Sequence, residues 1–231
     1  MSDERVAVVT GGAGLIGRAI VESLEATGHK VVVIDQTGPF AADLADEAAV
    51  RRVAREVLET YGRCDVLVHA AAAFDRAGLA DLDHALFAHA MGVNVEAALW
   101  LCQELIPRMA ARGFGRIVFI TSDTVFSPPP VAELLPYMMT KMALMGAARS
   151  LSRALGPDGI TVNCVAPGLT PNPDHADAMP PGWETNVLAR QSLQRILGPQ
   201  DVAAAVAFLA GDGAEALSGQ TLCPDGGMVF R

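Results

Sequence analysis

Aromatic residues are scarce in this chain: they make up 5% of its 231 residues, while 51% are apolar. The interior must therefore be filled by small and branched aliphatic side chains, which suits a sheet packed by helices on both faces. Basic residues are also few. Seventeen Lys and Arg stand against twenty-six Asp and Glu, a formal net charge of −9 with no basic stripe. Nucleic acid is thus not an expected partner, and neither is an anionic membrane surface. No apolar run approaches the roughly 18 residues of a membrane span. The start, Met1-Ser2-Asp3-Glu4-Arg5, lacks the layout of a signal peptide. The four cysteines (Cys64, Cys102, Cys164 and Cys223) form no Cys-x-x-Cys pair and read as reduced thiols in or near the core. The five histidines have no metal-ligand spacing, so no metal is expected. No repeat or linker divides the chain, and its length suits a single domain over residues 1–231. Cytoplasmic residence is the expectation that follows.

What is present is an alternation of strand and helix patterns. Val6-Ala7-Val8-Val9 is a buried-strand run, followed by helical periodicity over 15–27 that ends at Gly28. Strands are expected at 31–34, 66–68, 117–120, 160–165 and 221–223. Helices are expected at 46–60, 84–112 (broken or kinked near Pro107), 135–155 and 200–210. This order predicts a Rossmann-type, doubly wound parallel sheet in three αβα layers. Nine residues run from Asp35 to Asp43. A parallel crossover ordinarily needs about a dozen or more, so the second crossover helix should be shortened or missing. Phe40-Ala41-Ala42 would then be a stunted third strand.

Thr10-Gly11-Gly12-Ala13-Gly14-Leu15-Ile16-Gly17 joins the first strand to the first helix. Glycines in that position allow a tight turn and a close approach of backbone to pyrophosphate, and the helix N-terminus offers free N–H groups. Asp35 closes the second strand, 18 residues after Gly17. A carboxylate there accepts from ribose hydroxyls and repels a 2′-phosphate. No Arg or Lys follows in Gln36-Thr37-Gly38, which favours NAD over NADP.

Tyr137 and Lys141 stand four apart in Tyr137-Met138-Met139-Thr140-Lys141, on one face of a helix. A cation beside a phenol favours the phenolate. Bringing a tyrosine from about 10 to near 7 needs roughly 4 kcal/mol of differential stabilisation. One lysine plus a second positive charge, such as an oxidised nicotinamide, is a source of that size.

These motifs, in this order and over essentially the whole chain, resemble the short-chain dehydrogenase/reductase family in its compact single-domain branch. The resemblance implies that Gly11, Gly14, Leu15, Ile16 and Gly17 belong to the coenzyme motif, that Asp43 and Leu44 contact the adenine, and that Ala70, Ala71 and Ala72 line the adenosine. It implies a catalytic set of Asn94, Ser122, Tyr137 and Lys141. In this set Tyr137 is the acid–base, Lys141 lowers its pKa and holds the nicotinamide ribose, Ser122 donates to the substrate oxygen, and Asn94 positions a water leading to Lys141. Pro167 and Gly168 would border the nicotinamide, with Thr170 near its carboxamide. Gly198-Pro199, Asp201-Val202, Ser218-Gly219-Gln220 and Asp225-Gly226-Gly227 look like the family's C-terminal signature.

The chain also departs from the family pattern. Leu15 stands where a glycine is usual, and Gly14 gives a spacing similar to that of the extended branch. The usual Asn-Asn-Ala-Gly is His69-Ala70-Ala71-Ala72, with His69 expected to be structural. The interval from Ser122 to Tyr137 is two residues longer than usual, so that Ser127-Pro128-Pro129-Pro130 would bulge toward the substrate.

The expected activity is NAD-dependent interconversion of a secondary alcohol and a ketone, cyclic and aromatic ones included. Residues 169–195, with Leu169, Met179, Trp183, Val187 and Leu188, read as a substrate lid. With Phe126 they imply a fairly apolar pocket. Ser122-Asp123 and the missing helix also resemble family members that oxidise cyclic dihydrodiols. A non-catalytic NAD-binding sensor or scaffold, and an isomerase or dehydratase with tightly bound NAD, are the readings from other classes. The complete Asn, Ser, Tyr and Lys set argues against the sensor. A homotetramer is expected, with a homodimer as runner-up, because the apolar positions of helix 135–155 (Leu135, Met138, Met139, Met142, Leu144, Met145, Ala148 and Leu151) extend around more than half its circumference. Met228-Val229-Phe230-Arg231 would dock at a second interface.

Overall fold

Side-chain alternation in the strands decides what each face of the sheet binds. In β1 (Val6–Thr10) Val6 and Val8 join one apolar cluster, while Ala7 and Val9 join the other. The same division runs through β4 (Val66–His69), where Leu67 points one way and Val66 and Val68 the other. It recurs in β5 (Gly115–Ile120), where Ile117 and Phe119 oppose Val118 and Ile120. Helices α2 (Glu47–Tyr61), α4 (Ala97–Arg112) and α5 (Leu135–Leu155) cover the first face. Helices α1 (Leu15–Ala26) and α7 (Pro199–Ala210) cover the second. The computed structural model describes residues 4–129, 132–172 and 182–230.

With β2 (Lys30–Asp35), β3 (Phe40–Ala41), β6 (Ile160–Val165) and β7 (Thr221–Leu222), the sheet has seven parallel strands in the order β3-β2-β1-β4-β5-β6-β7. The expected Rossmann-type αβα architecture is therefore present. The order reverses between β1 and β4, which opens a crevice at the carboxyl ends of those two strands. No helix lies between Asp35 and Asp43, and β3 is two residues long.

Of the break or kink expected near Pro107, the break is absent, because Pro107 lies within α4 without ending it. Gln103, whose carbonyl loses its intrahelical partner, is exposed, so water can take the bond. The irregularity sits instead between α3 (His84–Met91) and α4, where Gly92–Glu96 forms a π-turn closed by the bond from Ala97 N–H to Gly92 C=O. Within the expected lid segment Trp183–Arg190 forms a short helix, α6. Residues 173–181, with Met179, lie outside the described residues, as do Pro130 and Arg231.

By length and hydropathy alone the helical stretch His84–Arg112 could cross a bilayer. It is a core element instead. Leu101, Leu105 and Met109 are buried in the first cluster, and Glu104 pairs with Arg51 and Arg55 of α2. Cys64, Cys102 and Cys164 are buried and Cys223 half-buried, all as reduced thiols.

Candidate active site

The crevice is built from glycines that nothing larger can replace. Gly11 has φ +67°, and a Cβ on it would lie 2.7 Å from the Ala71 Cα. A Cβ on Gly17 would lie 2.0 Å from the Gly11 carbonyl oxygen. These contacts press α1 against the β1 turn, so that Leu15, Ile16 and Gly17 begin the helix behind Gly14 with neither a side-chain cap nor an acid in the first turn. Bare N–H groups at a helix N-terminus, beside a cradle that a Cβ would fill, fit a pyrophosphate. Asp35 stands next to this loop. Its carboxylate accepts from Ala13 N–H (3.0 Å) and Gln36 N–H (2.8 Å), so it also holds the loop in place. Asp43 accepts from Ala45 N–H at 2.9 Å, and Leu44 is buried beside it.

Thr10 ties the loop to β4. Its Oγ1 accepts from Ala70 N–H and Ala71 N–H, both at 3.2 Å, which fills its two lone pairs. Its single proton therefore goes to His69 Nδ1, 3.0 Å away. This fixes the tautomer of the buried His69 with hydrogen on Nε2. Burial, and then the charge of Lys141, push its pKa down to about 3. His69 is a neutral structural histidine, as expected. Ala72 is exposed at the crevice mouth.

Asn94 lies in the π-turn, fully buried. Its Oδ1 accepts from Ala73 N–H (2.6 Å), and its Nδ2 donates to Ala73 C=O (3.0 Å) and to Thr140 Oγ1 (3.0 Å). Both amide hydrogens are engaged, so the side chain clamps the segment after β4 to α5 rather than reaching toward Lys141. Thr140 in turn donates to Tyr137 C=O at 2.7 Å. The added residue of the π-turn aims Asn94 at both partners, and such turns concentrate at functional sites.

Tyr137, Lys141 and Ser122 meet at the carboxyl end of β5. Lys141 is buried and donates from Nζ to Ile120 C=O at 2.8 Å, with Nζ 5.3 Å from the Tyr137 ring centroid. Burial lowers its pKa to about 8. Burial raises Tyr137 to about 12, against a smaller opposing effect from Ser122. In the free protein desolvation dominates, whereas the expected lowering draws on an oxidised nicotinamide as well as on Lys141. Ser122 Oγ accepts from Thr124 Oγ1 (2.9 Å) and Thr124 N–H (3.3 Å). Its own hydroxyl donates to Asp123 Oδ1 at 3.5 Å and also faces the Tyr137 phenol.

Several contributors were not legible in the sequence. Thr124 orients Ser122, and Thr140 joins Asn94 to α5. Phe74, 55% exposed, sets its ring edge-on to Tyr137 with centroids 4.8 Å apart. On the far side, Pro167 C=O accepts from Asp123 N–H (3.0 Å), and Gly168 packs so tightly that a Cβ would lie 2.8 Å from the Asp225 Cα. Thr170 Oγ1 donates to Gly168 C=O at 3.2 Å. Asp225 anchors the C-terminal turn by accepting from the amides of Gly227, Met228 and Val229. Among the described residues no group of three or more His, Cys, Asp or Glu could hold a metal ion.

Residues 11–229 match the family model described as enoyl-(acyl carrier protein) reductase. A probable short-chain type dehydrogenase/reductase of Bradyrhizobium diazoefficiens is 34% identical, over 97% of this chain and 87% of its own length. A probable galactose dehydrogenase of Rhizobium meliloti is 31% identical over 97% and 95%. A diacetyl reductase [(S)-acetoin forming] of Staphylococcus aureus is 31% identical over the full length of both. Among solved structures, the TT0495 protein of Thermus thermophilus superposes with a TM-score of 0.90 at 34% identity, over 97% of this chain and 98% of that one. A 3-oxoacyl (acyl-carrier-protein) reductase of Agrobacterium tumefaciens C58, solved with NADP bound, gives 0.87 at 28% identity over 95% and 92%.

Proposed function

The chain belongs to the short-chain dehydrogenase/reductase family and is an oxidoreductase acting on CH–OH groups, and within that family we propose that it interconverts a secondary alcohol and a ketone with NAD at a Ser122, Tyr137, Lys141 and Asn94 site. The observation that carries this reading is the meeting of a buried lysine, a phenol and a serine hydroxyl at the end of β5, beside a glycine cradle that fits a pyrophosphate.

NAD, when bound, accepts a hydride from the carbinol carbon or returns it to the carbonyl. The chain's own groups handle the proton. In reduction the Tyr137 hydroxyl donates to the carbonyl oxygen; in oxidation its oxygen takes the proton from the alcohol. The Ser122 hydroxyl, whose oxygen is held by Thr124, donates to the same substrate oxygen and stabilises its developing negative charge. Lys141, anchored on Ile120 C=O, puts a buried cation beneath the phenol, which favours the phenolate as the proton leaves. Asn94 and Thr140 hold the helix turn that carries both groups.

Preference for NAD over NADP rests on Asp35, whose carboxylate stands beside the loop with no basic residue after it in Gln36-Thr37-Gly38. Phe74 packs edge-on against Tyr137, and the exposed Arg190 of α6 donates to Ser127 Oγ. That favours an uncharged alcohol or ketone. We place the enzyme in the cytoplasm, without a nucleic-acid or membrane partner, as a homotetramer or failing that a homodimer. Met139 and Met142 stand 44% and 51% exposed on the outer side of α5, with Leu99 and Trp100 half-buried on α4. Phe208 and Phe230 expose a second apolar area. A panel of secondary alcohols and ketones, assayed with NAD and with NADP by the absorbance of the reduced nicotinamide, tests the activity. Turnover of none of them would remove the reading.

A further inference from the structure

Arg116 and Thr161 are register partners at the amino ends of β5 and β6. Their side chains therefore share one face of the sheet, the one covered by α1 and α7. They are 5% and 7% exposed, and Arg116 Nε and Thr161 Oγ1 are buried without a hydrogen-bond partner among the described residues. Arg116 Nη1 donates to Gly115 C=O (3.0 Å) and Gly159 C=O (3.4 Å), and the guanidinium lies 4.2 Å from the Phe114 ring centroid. Stacking uses the face of the group and leaves its edge open. Nη2 has no acceptor among the described residues either and, unlike Nε, is not sealed from water. None of the ion pairs among the described residues includes Arg116. The charged groups that act on it are Arg5, Asp212 and Glu215. Arg5 and Asp212 are already paired at 2.6 Å, and Glu215 is exposed. A buried guanidinium without a carboxylate is costly and uncommon.

Arg116 and Thr161 line a cavity of about 580 Å³ together with Phe114, Ile160, Glu215 and Ser218. Ser218 Oγ accepts from Val162 N–H at 3.1 Å, and its own proton has no acceptor among the described residues. Donors in need of acceptors thus come from three residues of one wall. We propose that this cavity binds the carboxylate of a small organic acid, with Arg116 Nη2 and the Ser218 hydroxyl donating to its oxygens and Phe114 beside its apolar body. The volume falls in the range of small-molecule pockets and exceeds what a bare ion would fill. Glu215 in the same lining disfavours a dianion such as phosphate, while one negative charge balances Arg116. Six residues of extended chain separate Arg116 from Ser122, about 20 Å at roughly 3.3 Å per residue. The acid would therefore bind without displacing a ligand of the catalytic crevice, and the inference does not rest on the dehydrogenase reading.

Titration calorimetry with sodium benzoate at pH 7, on the protein alone and saturated with NAD, tests the site. Benzoate should bind with a Kd on the order of 1 mM, equal within about twofold in the two states. Arg116→Met should weaken it at least about tenfold. Glu215→Gln, an exposed change that does not endanger folding, should tighten it about two- to threefold. No binding up to about 20 mM overturns the inference. So does an unchanged affinity in Arg116→Met or, should that variant fold poorly, in Glu215→Gln. Loss of benzoate binding on saturation with NAD would place the acid in the crevice and overturns it as well. Inorganic phosphate bound more tightly than benzoate overturns the choice of a carboxylic acid. Failure of the protein to bind NAD would count against the dehydrogenase reading alone.

Discussion

Replacing Tyr137 by phenylalanine removes one oxygen and one proton while keeping the ring that packs edge-on against Phe74. The hydroxyl faces Ser122, whose oxygen Thr124 already serves and whose proton keeps Asp123 Oδ1 as an acceptor at 3.5 Å, so the loss leaves no new buried group unmet. The stability change should stay below about 1 kcal/mol. Catalysis should respond very differently. The phenol, raised to about 12 by burial, is a neutral acid in the free enzyme. Burial thus opposes the phenolate before cofactor and substrate bind. Alcohol oxidation needs the phenolate, so its rate should climb with pH from neutrality to at least about 9. Ketone reduction needs the phenol and should not rise over that range. A general acid–base is worth about 10²–10⁴ in rate, so kcat of the phenylalanine variant should fall by that factor in both directions. Fluorescence titration should show NAD binding changed by less than about threefold, because no contact of the glycine loop is altered. A variant that keeps more than about a tenth of wild-type kcat, or one whose pH profile matches the wild type, would refute the assignment of the proton to Tyr137.

Other outcomes follow from the same geometry. Asp35→Ala should shrink the ratio of kcat/KM for NAD over NADP, and a wild-type enzyme that favours NADP would overturn the cofactor assignment. The same variant frees Ala13 N–H and Gln36 N–H, so some weakening of NAD binding should accompany the change. Thr140→Val should lose the bond to Tyr137 C=O and strand a hydrogen of the buried Asn94, for about 1–3 kcal/mol and a Tm drop of roughly 2–10 °C. An unchanged Tm and kcat would mean that the link from Asn94 to α5 is idle. Light scattering at micromolar concentration should give about four times the 24.1 kDa chain mass, and a monomer would rule out both tetramer and dimer.

Much of this molecule is written locally. The glycines between Thr10 and Gly17 could be read as a phosphate cradle because the steric demand that excludes other residues lies within one strand–turn–helix unit. The absent helix after β2 followed from arithmetic, since nine residues cannot hold a crossover. The pairing of Tyr137 with Lys141 followed from the pitch of a helix. Other features had no local signal. Gly92-Val93-Asn94 has ordinary helical periodicity, and the π-turn exists because Asn94 finds Ala73 on one side and Thr140 on the other, partners 21 and 46 residues away. Pro107 looked like a break, yet α4 passes through it with the freed carbonyl at the surface. Helix α6 was hidden in a segment rich in Pro and Asp, where eight residues carry too short a pattern to read. The burial of Tyr137 had no local signal either. The neighbouring lysine is visible in the chain, but desolvation belongs to the surrounding elements, and here it outweighs the cation. Spacing along the chain determined which chemical groups are present, while long-range packing alone decided which of them are buried, which are already paired, and which still have a bond to offer.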